Sequence, residues 1–212
     1  MRNPIIAILV LTLLATGCCN DCDNDRNPTY LLDQDFKNYI VFPLGSYWIY
    51  TTDLNEKDSV HLYQQTIDLI KDSRVYPYKY QLLKQNLWSS FFSDTLFGGS
   101  ITEQVRDTDT IYHLYVDRFM SSPLDNSVNF FNNLPVSTVF EFTQSSKTQY
   151  VAEMESYFIS DAEYKNVRIF ENLLQNDDRL PQKIYYAEGV GIIRKELFNG
   201  QNWNLERHFI NN

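Results

Sequence analysis

Apolar and polar residues alternate with a period of two along most of the chain, which is the pattern of β-strands. The clearest run places Tyr150, Ala152 and Phe158 in phase with one another and puts Glu153 and Glu155 in the opposite phase between them. Trp203, Leu205 and Phe209 show the same phase near the end of the chain. Polar residues at every second position are typical of antiparallel sheets with one face toward solvent.

Further strands are predicted at 46–52, 58–70, 78–83, 88–97, 101–105, 112–117, 137–143, 166–173, 183–187 and 191–198. Turn residues separate them at 53–55, 71–73, Gly98-Gly99, 144–146 and Asn199-Gly200. The Asn-Gly pair predicts a β-hairpin with a type I′ turn, because that turn needs positive φ at both central residues. Residues 119–135 lack the alternation, and we expect a long loop or a short helix there.

This succession of short strands without a long amphipathic helix predicts an all-β, mainly antiparallel fold. A meandering sheet buries one face either by curling into a half-barrel or barrel, or by stacking as a β-sandwich. The sequence leaves these two arrangements open. We expect a single domain over residues 39–212, because this length suits one core.

The first residues have the layout of a secretory signal peptide. Arg2 supplies a positive start, Ile5 to Leu14 is almost wholly apolar, and three small residues, Ala15, Thr16 and Gly17, precede Cys18. The apolar run is about half of the roughly 20 residues that a membrane-spanning helix needs. Residues 1–17 are therefore predicted to be a cleaved signal, and an ordinary secretory signal would also explain this layout.

The small residue followed by Cys18 resembles the lipobox of bacterial lipoproteins, although Ala15 stands where that family usually has Leu. The resemblance implies cleavage before Cys18 and attachment of a diacylglycerol to its thiol. Cys19 is a rival acceptor, but cleavage there would place the bulkier Cys18 where Gly17 fits better. Two acyl chains hold a protein stably on a membrane, so the expected membrane contact is the lipid anchor at Cys18.

Residues 18–38 form a predicted acidic tether, in which aspartates and asparagines disfavour regular structure. A solvated spacer explains this composition. The stretch 20–25 also resembles the acidic signal that sends lipoproteins of the Bacteroidota to the outer cell surface. The expected location is therefore the outer membrane, on its periplasmic face or at the cell surface.

Two motifs frame the predicted domain. Gly45-Ser46-Tyr47-Trp48-Ile49-Tyr50 lies near its start, and Tyr186-Ala187-Glu188-Gly189-Val190-Gly191 lies near its end. The pair resembles uncharacterised Bacteroidota lipoproteins that open with a Gly-x-x-Trp-x-Tyr strand and close with a Gly-Val-Gly strand. The resemblance implies a curved antiparallel sheet of the outer-membrane lipoprotein-carrier type and supplies no catalytic residues. Glu188 departs from the Pro expected before the first glycine.

Charge and residue content narrow the function classes. The net charge of −9 and the lack of a clustered basic face argue against a nucleic-acid partner. The three histidines have no ligand spacing and the three cysteines all precede the domain, so we expect no metal, no cofactor and no catalytic residue. Glu153 and Glu155 share a strand face at a spacing that a glycosidase could use, but such pairs are common in solvated strands.

Aromatic residues are abundant, with 15 Tyr and 14 Phe. The run from Leu87 to Phe92 contains Trp88, Phe91 and Phe92, which are candidate ligand-facing side chains, although most such runs are core strands. The favoured interpretation is a non-catalytic binding or assembly module of the cell envelope, with a glycan, lipid or envelope protein as its partner. The alternative is a hydrolase of envelope or dietary polysaccharide.

Overall fold

The computed structural model describes residues 29–71, 79–89, 96–105, 111–118, 129–131, 134–143, 146–174 and 181–211. One short helix lies within these ranges, α1 at Gln34–Ile40. The strands are β1 Thr29–Tyr30, β2 Tyr47–Thr52, β3 Lys57–Lys71, β4 Lys79–Ser89, β5 Leu96–Val105, β6 Ile111–Arg118, β7 Asn129–Phe131, β8 Val139–Thr143, β9 Ser146–Ile159, β10 Ala162–Asn172, β11 Pro181–Ala187, β12 Gly191–Leu197 and β13 Asn202–Phe209.

These thirteen described strands form one sheet in the order β7-β6-β5-β4-β3-β2-β13-β12-β11-β10-β9-β8, and β1 pairs with β4. Every pair except the parallel β1–β4 contact is antiparallel, and most neighbours in the sheet are also neighbours in the chain. Seven of the strands curl into a half-barrel. The predicted all-β, mainly antiparallel half-barrel is therefore confirmed.

The curl brings distant strands into a common core. Leu83 on β4 and Tyr150 on β9 are far apart in the strand order, yet both belong to one buried cluster with Phe36 of α1. Register shifts interrupt several ladders, including those of β2 with β13 and of β9 with β10. Each β-bulge bends its strand and increases the local twist, which helps the sheet to wrap around the helix.

A bulge also changes which residues face the core on β13. Trp203 and Leu205 are buried, but Phe209 is 49 % exposed and stacks on Tyr47 with ring centroids 5.7 Å apart. The register with β2 shifts between Leu205 and Arg207, so the extra residue moves Phe209 off the face of Leu205. Simple alternation correctly predicted the strand and wrongly placed its last aromatic residue.

The hairpin predicted at Asn199-Gly200 joins β12 to β13, but its turn differs from type I′. Gly200 has φ of +85°, whereas Asn199 is not among the residues with positive φ. The amide of Gly200 donates to the Leu197 carbonyl at 3.0 Å, and that of Leu197 donates to the Gln201 carbonyl at 2.9 Å. This is the three-residue loop in which a type I turn is followed by a glycine bulge.

Two further predictions differ from the structure, one at the pair Gly98-Gly99 and one in segment 119–135. Gly98 and Gly99, predicted to form a turn, lie inside β5 and pair with β4 on one side and β6 on the other. The predicted strand 88–97 is accordingly divided: β4 ends at Ser89, and β5 begins at Leu96. The short strand β7 lies within 119–135, where a loop or helix was expected. Pairing on both sides lets β5 tolerate its two glycines, although their strand propensity is low.

Helix α1 packs across the sheet. Asp33 caps it by accepting a hydrogen bond from the Asp35 amide at 2.7 Å. Phe36, Tyr39 and Ile40 are buried at the i, i+3, i+4 spacing of one helix face. Leu32 and Phe36, which lie within the predicted tether, are therefore part of the core. Within the described ranges no helix is long and apolar enough to cross a membrane.

Candidate functional site

A cavity of about 60 Å³ lies between α1 and the sheet. Its wall is apolar and aromatic with a few polar groups. Residues of α1, β2, β3, β4 and β12 contribute to it, including Tyr39, Trp48, Tyr50, Leu62, Gln85 and Lys195. A water needs roughly 10–15 Å³, so the cavity has room for several waters or a small chemical group.

The two motifs that frame the domain meet at this cavity. The Trp48 indole Nε1–H donates to the Val190 carbonyl at 2.6 Å, and the Tyr50 hydroxyl donates to the Ile192 carbonyl at 2.9 Å. Strand β13 lies between β2 and β12, so both side chains reach past it to the backbone of residues 190–192. A buried indole or phenol needs such a partner, and these two bonds orient the aromatic wall.

Gly191 makes room for an aromatic ring at the edge of the cavity. Its φ is +90°, and a Cβ on it would lie 3.0 Å from Cε2 of Phe42. The Phe42 ring also packs edge-on against Trp48, with centroids 5.2 Å apart. The glycine is therefore required twice, for its backbone conformation and for the space that Phe42 occupies.

A second, more open cleft of about 420 Å³ lies on the other side of Phe42. Gln34, Lys37 and Asn38 of α1 form one side of it, and Glu188, Gly189 and Ile210 lie on the other. Phe42 is the one residue that lines both spaces. Phe42 thus contributes to the walls of both spaces.

Two polar side chains in the cavity wall are almost fully buried. Lys195 is 6 % exposed, and its Nζ lies 5.0 Å from the centre of the Tyr50 ring, a cation–π distance. Gln85 donates from Nε2 to the Ile40 carbonyl at 3.0 Å, which ties β4 to the end of α1. The amide of Gln85 and the ammonium of Lys195 give the apolar cavity a small number of fixed polar groups.

An arginine holds α1 against the sheet. The Arg168 side chain is 12 % exposed, and it pairs with Asp35 of α1 at 2.9 Å and with Glu153 of β9 at 3.2 Å. Its guanidinium also lies 4.4 Å from the centre of the Tyr39 ring. The Tyr39 hydroxyl donates to the Asn166 carbonyl at 2.8 Å. We call this group, Asp35, Tyr39, Glu153 and Arg168, the helix clasp.

Glu188 supplies a second attachment for α1. Its carboxylate accepts from Asn38 Nδ2 at 2.9 Å and from Asn166 Nδ2 at 2.5 Å. The Gly189 amide donates to the Asn38 carbonyl at 2.8 Å. Glu188, which stands where the resemblance implies Pro, therefore connects the β11–β12 turn to the helix.

Tyrosine burial makes stability sensitive to alkaline pH. Burial raises the pKa of Tyr39 to about 12 and also raises the pKa values of Tyr150 and Tyr185. In the unfolded chain a phenol loses its proton near pH 10, so above that pH the unfolded state binds fewer protons. We expect the free energy of unfolding to be unaffected by these groups below pH 10 and to fall as pH rises toward 12. Urea unfolding at pH 9, 10 and 11 measures this fall. In Tyr39→Phe the free energy of unfolding should decrease less steeply with pH than in the wild type. An equally steep decrease in both would contradict the prediction.

The residues that the sequence proposed for a site are mostly outside the described ranges. Cys18, Phe91 and Phe92 lie there, as does the predicted signal 1–17. The backbone of Trp88 belongs to β4 and pairs with His61 and Leu96. Its neighbour Leu87 lines the cavity.

Sequence reasoning missed Lys195, Gln85 and Phe42. Lys195 had a signal that could have found it, because it shares the phase of Ile193 and Leu197 in β12 and all three are buried. A lysine that alternates in step with apolar residues is predicted to point into the core, and lysines are seldom fully buried unless they are paired. Gln85 and Phe42 carry no comparable signal, since their roles arise from contacts between distant elements.

The glutamate pair considered for glycosidase chemistry has a structural explanation. Glu153 is engaged by Arg168, and both Glu153 and Glu155 are exposed on β9. Among the described residues, no three His, Cys, Asp or Glu side chains come together as a metal site. Comparison with protein-family models, curated proteins and solved structures finds no match to this chain.

Proposed function

We propose that this protein is an exported, lipid-anchored binding module of the bacterial outer membrane, attached through Cys18 and acting without catalysis. Its ligand occupies the cavity between α1 and the half-barrel. The observation that carries this proposal is the cavity itself, with an aromatic wall that includes two buried polar side chains, Gln85 and Lys195. Small-molecule sites are typically concave, mostly apolar and equipped with few polar groups.

The ligand extends beyond the cavity into the cleft. The cavity of about 60 Å³ is far smaller than the roughly 300–1,000 Å³ of most ligand sites, whereas the cleft of about 420 Å³ falls in that range. A ligand that displaces the Phe42 ring would occupy both. Phe42 lies in the segment between α1 and β2, where no strand pairing restrains it.

Binding of a neutral apolar fluorophore tests this proposal. N-phenyl-1-naphthylamine should bind the purified Cys18→Ser chain at one saturable site with increased fluorescence. Leu87→Phe narrows the cavity and should weaken binding by about tenfold, which corresponds to about 1.4 kcal/mol. The measurement is a fluorescence titration at constant protein concentration.

The matched control is Ile49→Phe, which adds the same ring on β2 at a position that does not line the cavity. This variant should bind the fluorophore as the unsubstituted chain does. Absence of saturable binding, or equal weakening by both substitutions, would contradict an internal site.

Lipid attachment is tested separately. Cells fed a clickable fatty acid should label the wild-type chain and leave the Cys18→Ser chain unlabelled, because the proposal makes this thiol the acceptor for the diacylglycerol. Cys19→Ser serves as the control and should label normally. Labelling of the Cys18→Ser chain at the wild-type level would contradict anchoring at this residue.

A further inference from the structure

We propose that the ligand is a neutral alcohol whose hydroxyl group enters the cavity and donates a hydrogen bond to Oε1 of Gln85. This inference rests on the proposed binding function and adds the chemical group that the site recognises. It follows from one buried acceptor without a partner, from the engagement of the donors around it, and from the charge and size of the cavity.

Gln85 carries a buried acceptor whose direction is fixed. The residue is 3 % exposed, and its Nε2 donates to the Ile40 carbonyl at 3.0 Å. Because a carbonyl oxygen can only accept, this bond holds the amide with its nitrogen toward the end of α1 and its oxygen turned away. Within the part of the chain that the structure describes, Oε1 has no hydrogen-bond partner.

The free side of Oε1 faces the cavity. Some buried polar atoms of the described residues are fully enclosed and lack a partner, for example Nε2 of Gln65, but Oε1 of Gln85 is not one of them. Part of its surface therefore meets open space, and the space that Gln85 lines is the cavity. A buried acceptor costs free energy unless a donor meets it, and a ligand in the cavity can supply that donor.

Donors in the described cavity wall are already engaged, so the site favours a ligand that donates over one that only accepts. Tyr39, Trp48 and Tyr50 each donate to a backbone carbonyl. Lys195 has interactions of its own, and the Tyr186 hydroxyl is fully enclosed. An ether, a ketone or a carboxylate would bring only acceptors to this wall and would leave Oε1 of the glutamine unmet.

The charge and the size of the cavity restrict the donor to a neutral hydroxyl. An ammonium ligand would be buried in an apolar wall together with the like charge of Lys195, which is 6 % exposed. A neutral O–H group avoids that cost. At roughly 10–15 Å³ for each water, the cavity of about 60 Å³ holds about four to six groups of that size, which is enough for a hydroxyl and a short carbon chain.

Two isomers of one molecular formula, 1-pentanol and butyl methyl ether, test the assignment, because only the alcohol has a hydrogen to donate. Nuclear magnetic resonance titration of the ¹⁵N-labelled Cys18→Ser chain measures both affinities. We expect 1-pentanol to bind about tenfold more tightly and to shift the Gln85 side-chain amide resonances. The alcohol can reproduce the hydrogen bond of a water that it displaces, whereas the ether cannot. Equal affinities, or tighter binding of the ether, would overturn the inference.

Gln85→Met keeps the approximate length of the side chain and removes the acceptor. It should lower the affinity for 1-pentanol to that for the ether and leave ether binding unchanged. Gln182→Met is the matched control, because Gln182 bonds to Glu171 and does not line the cavity, and it should retain the preference for the alcohol. A preference that survives in Gln85→Met refutes the assignment to this glutamine. The comparison of the isomers with Gln85 intact does not depend on the folding of the variant.

Failure of the inference differs from failure of the proposed function. If the fluorophore binds but 1-pentanol shows no advantage over the ether, the cavity is a binding site for another chemical class and the inference is wrong. If neither the fluorophore nor either isomer binds, both the internal site and its assignment are wrong.

Discussion

Replacing Gly191 by valine is expected to lower the free energy of unfolding by about 2–5 kcal/mol, more than any other substitution proposed for this protein. Two costs combine at this position. A β-branched residue is strained at φ of +90°, and its Cβ would lie 3.0 Å from the Phe42 ring, which packs against Trp48. Urea unfolding monitored by tryptophan fluorescence measures the change.

Gly189→Val is the matched control two residues away. Gly189 also has positive φ, at +71°, but a Cβ there would meet nothing within 4 Å. This variant should therefore show only the conformational cost, about 1–3 kcal/mol. Equal losses at the two glycines would show that the Phe42 contact contributes nothing, and wild-type stability in both would contradict a structural role for the motif.

Arg168→Met is expected to lower the free energy of unfolding by about 1–3 kcal/mol, because it removes two ion pairs and a cation–π contact at once. Asp35 and Glu153 are each nearly half exposed, so water solvates them once the arginine is gone. The loss is therefore smaller than for a fully buried ion pair. Thermal and urea unfolding of the variant measure the contribution of the helix clasp.

Lys165→Met provides the comparison on the same strand. The Lys165 ammonium pairs with Glu163, and its side chain is 65 % exposed. Exposed pairs of this kind contribute little, so the variant should remain close to the wild type in stability. If Arg168→Met is no less stable than Lys165→Met, the helix clasp does not contribute measurably to the free energy of unfolding.

Much of the fold follows from the sequence because strand formation and burial share a period of two. β2, β3, β12 and β13 lie within one or two residues of their predicted bounds, and turn residues locate the connections between them. The bulges are not predictable in this way. A single extra residue leaves the composition unchanged and moves Phe209 to the opposite face, so only the pairing partner reveals it.

Helix α1 was not predicted, because it is too short to show a periodic pattern in the sequence. Seven residues present barely two turns, too few for a periodic pattern, and the acidic neighbourhood of Asp33 and Asp35 resembles a solvated linker. The helix is stabilised by what it covers, the buried faces of Phe36, Tyr39 and Ile40, which depends on the curled sheet.

The candidate site was predictable only in part. The Trp48 and Gly-Val-Gly motifs were recognised as framing the domain, but nothing in their spacing indicates that Trp48 bonds to Val190 across 142 positions. The aromatic run 87–92 drew attention to Trp88, whereas its neighbour Leu87 lines the cavity. A cavity forms where several elements leave space between them. The alternation of residues along one strand shows only which face of that strand is apolar.

A crystal structure of the Cys18→Ser chain grown with N-phenyl-1-naphthylamine and no other organic additive tests most directly whether the cavity is a binding site. We predict electron density for the fluorophore between α1 and the half-barrel, beside a displaced Phe42 ring and extending into the cleft beside Ile210. A cavity that contains only water, with Phe42 still seated against Gly191, would contradict binding at this site.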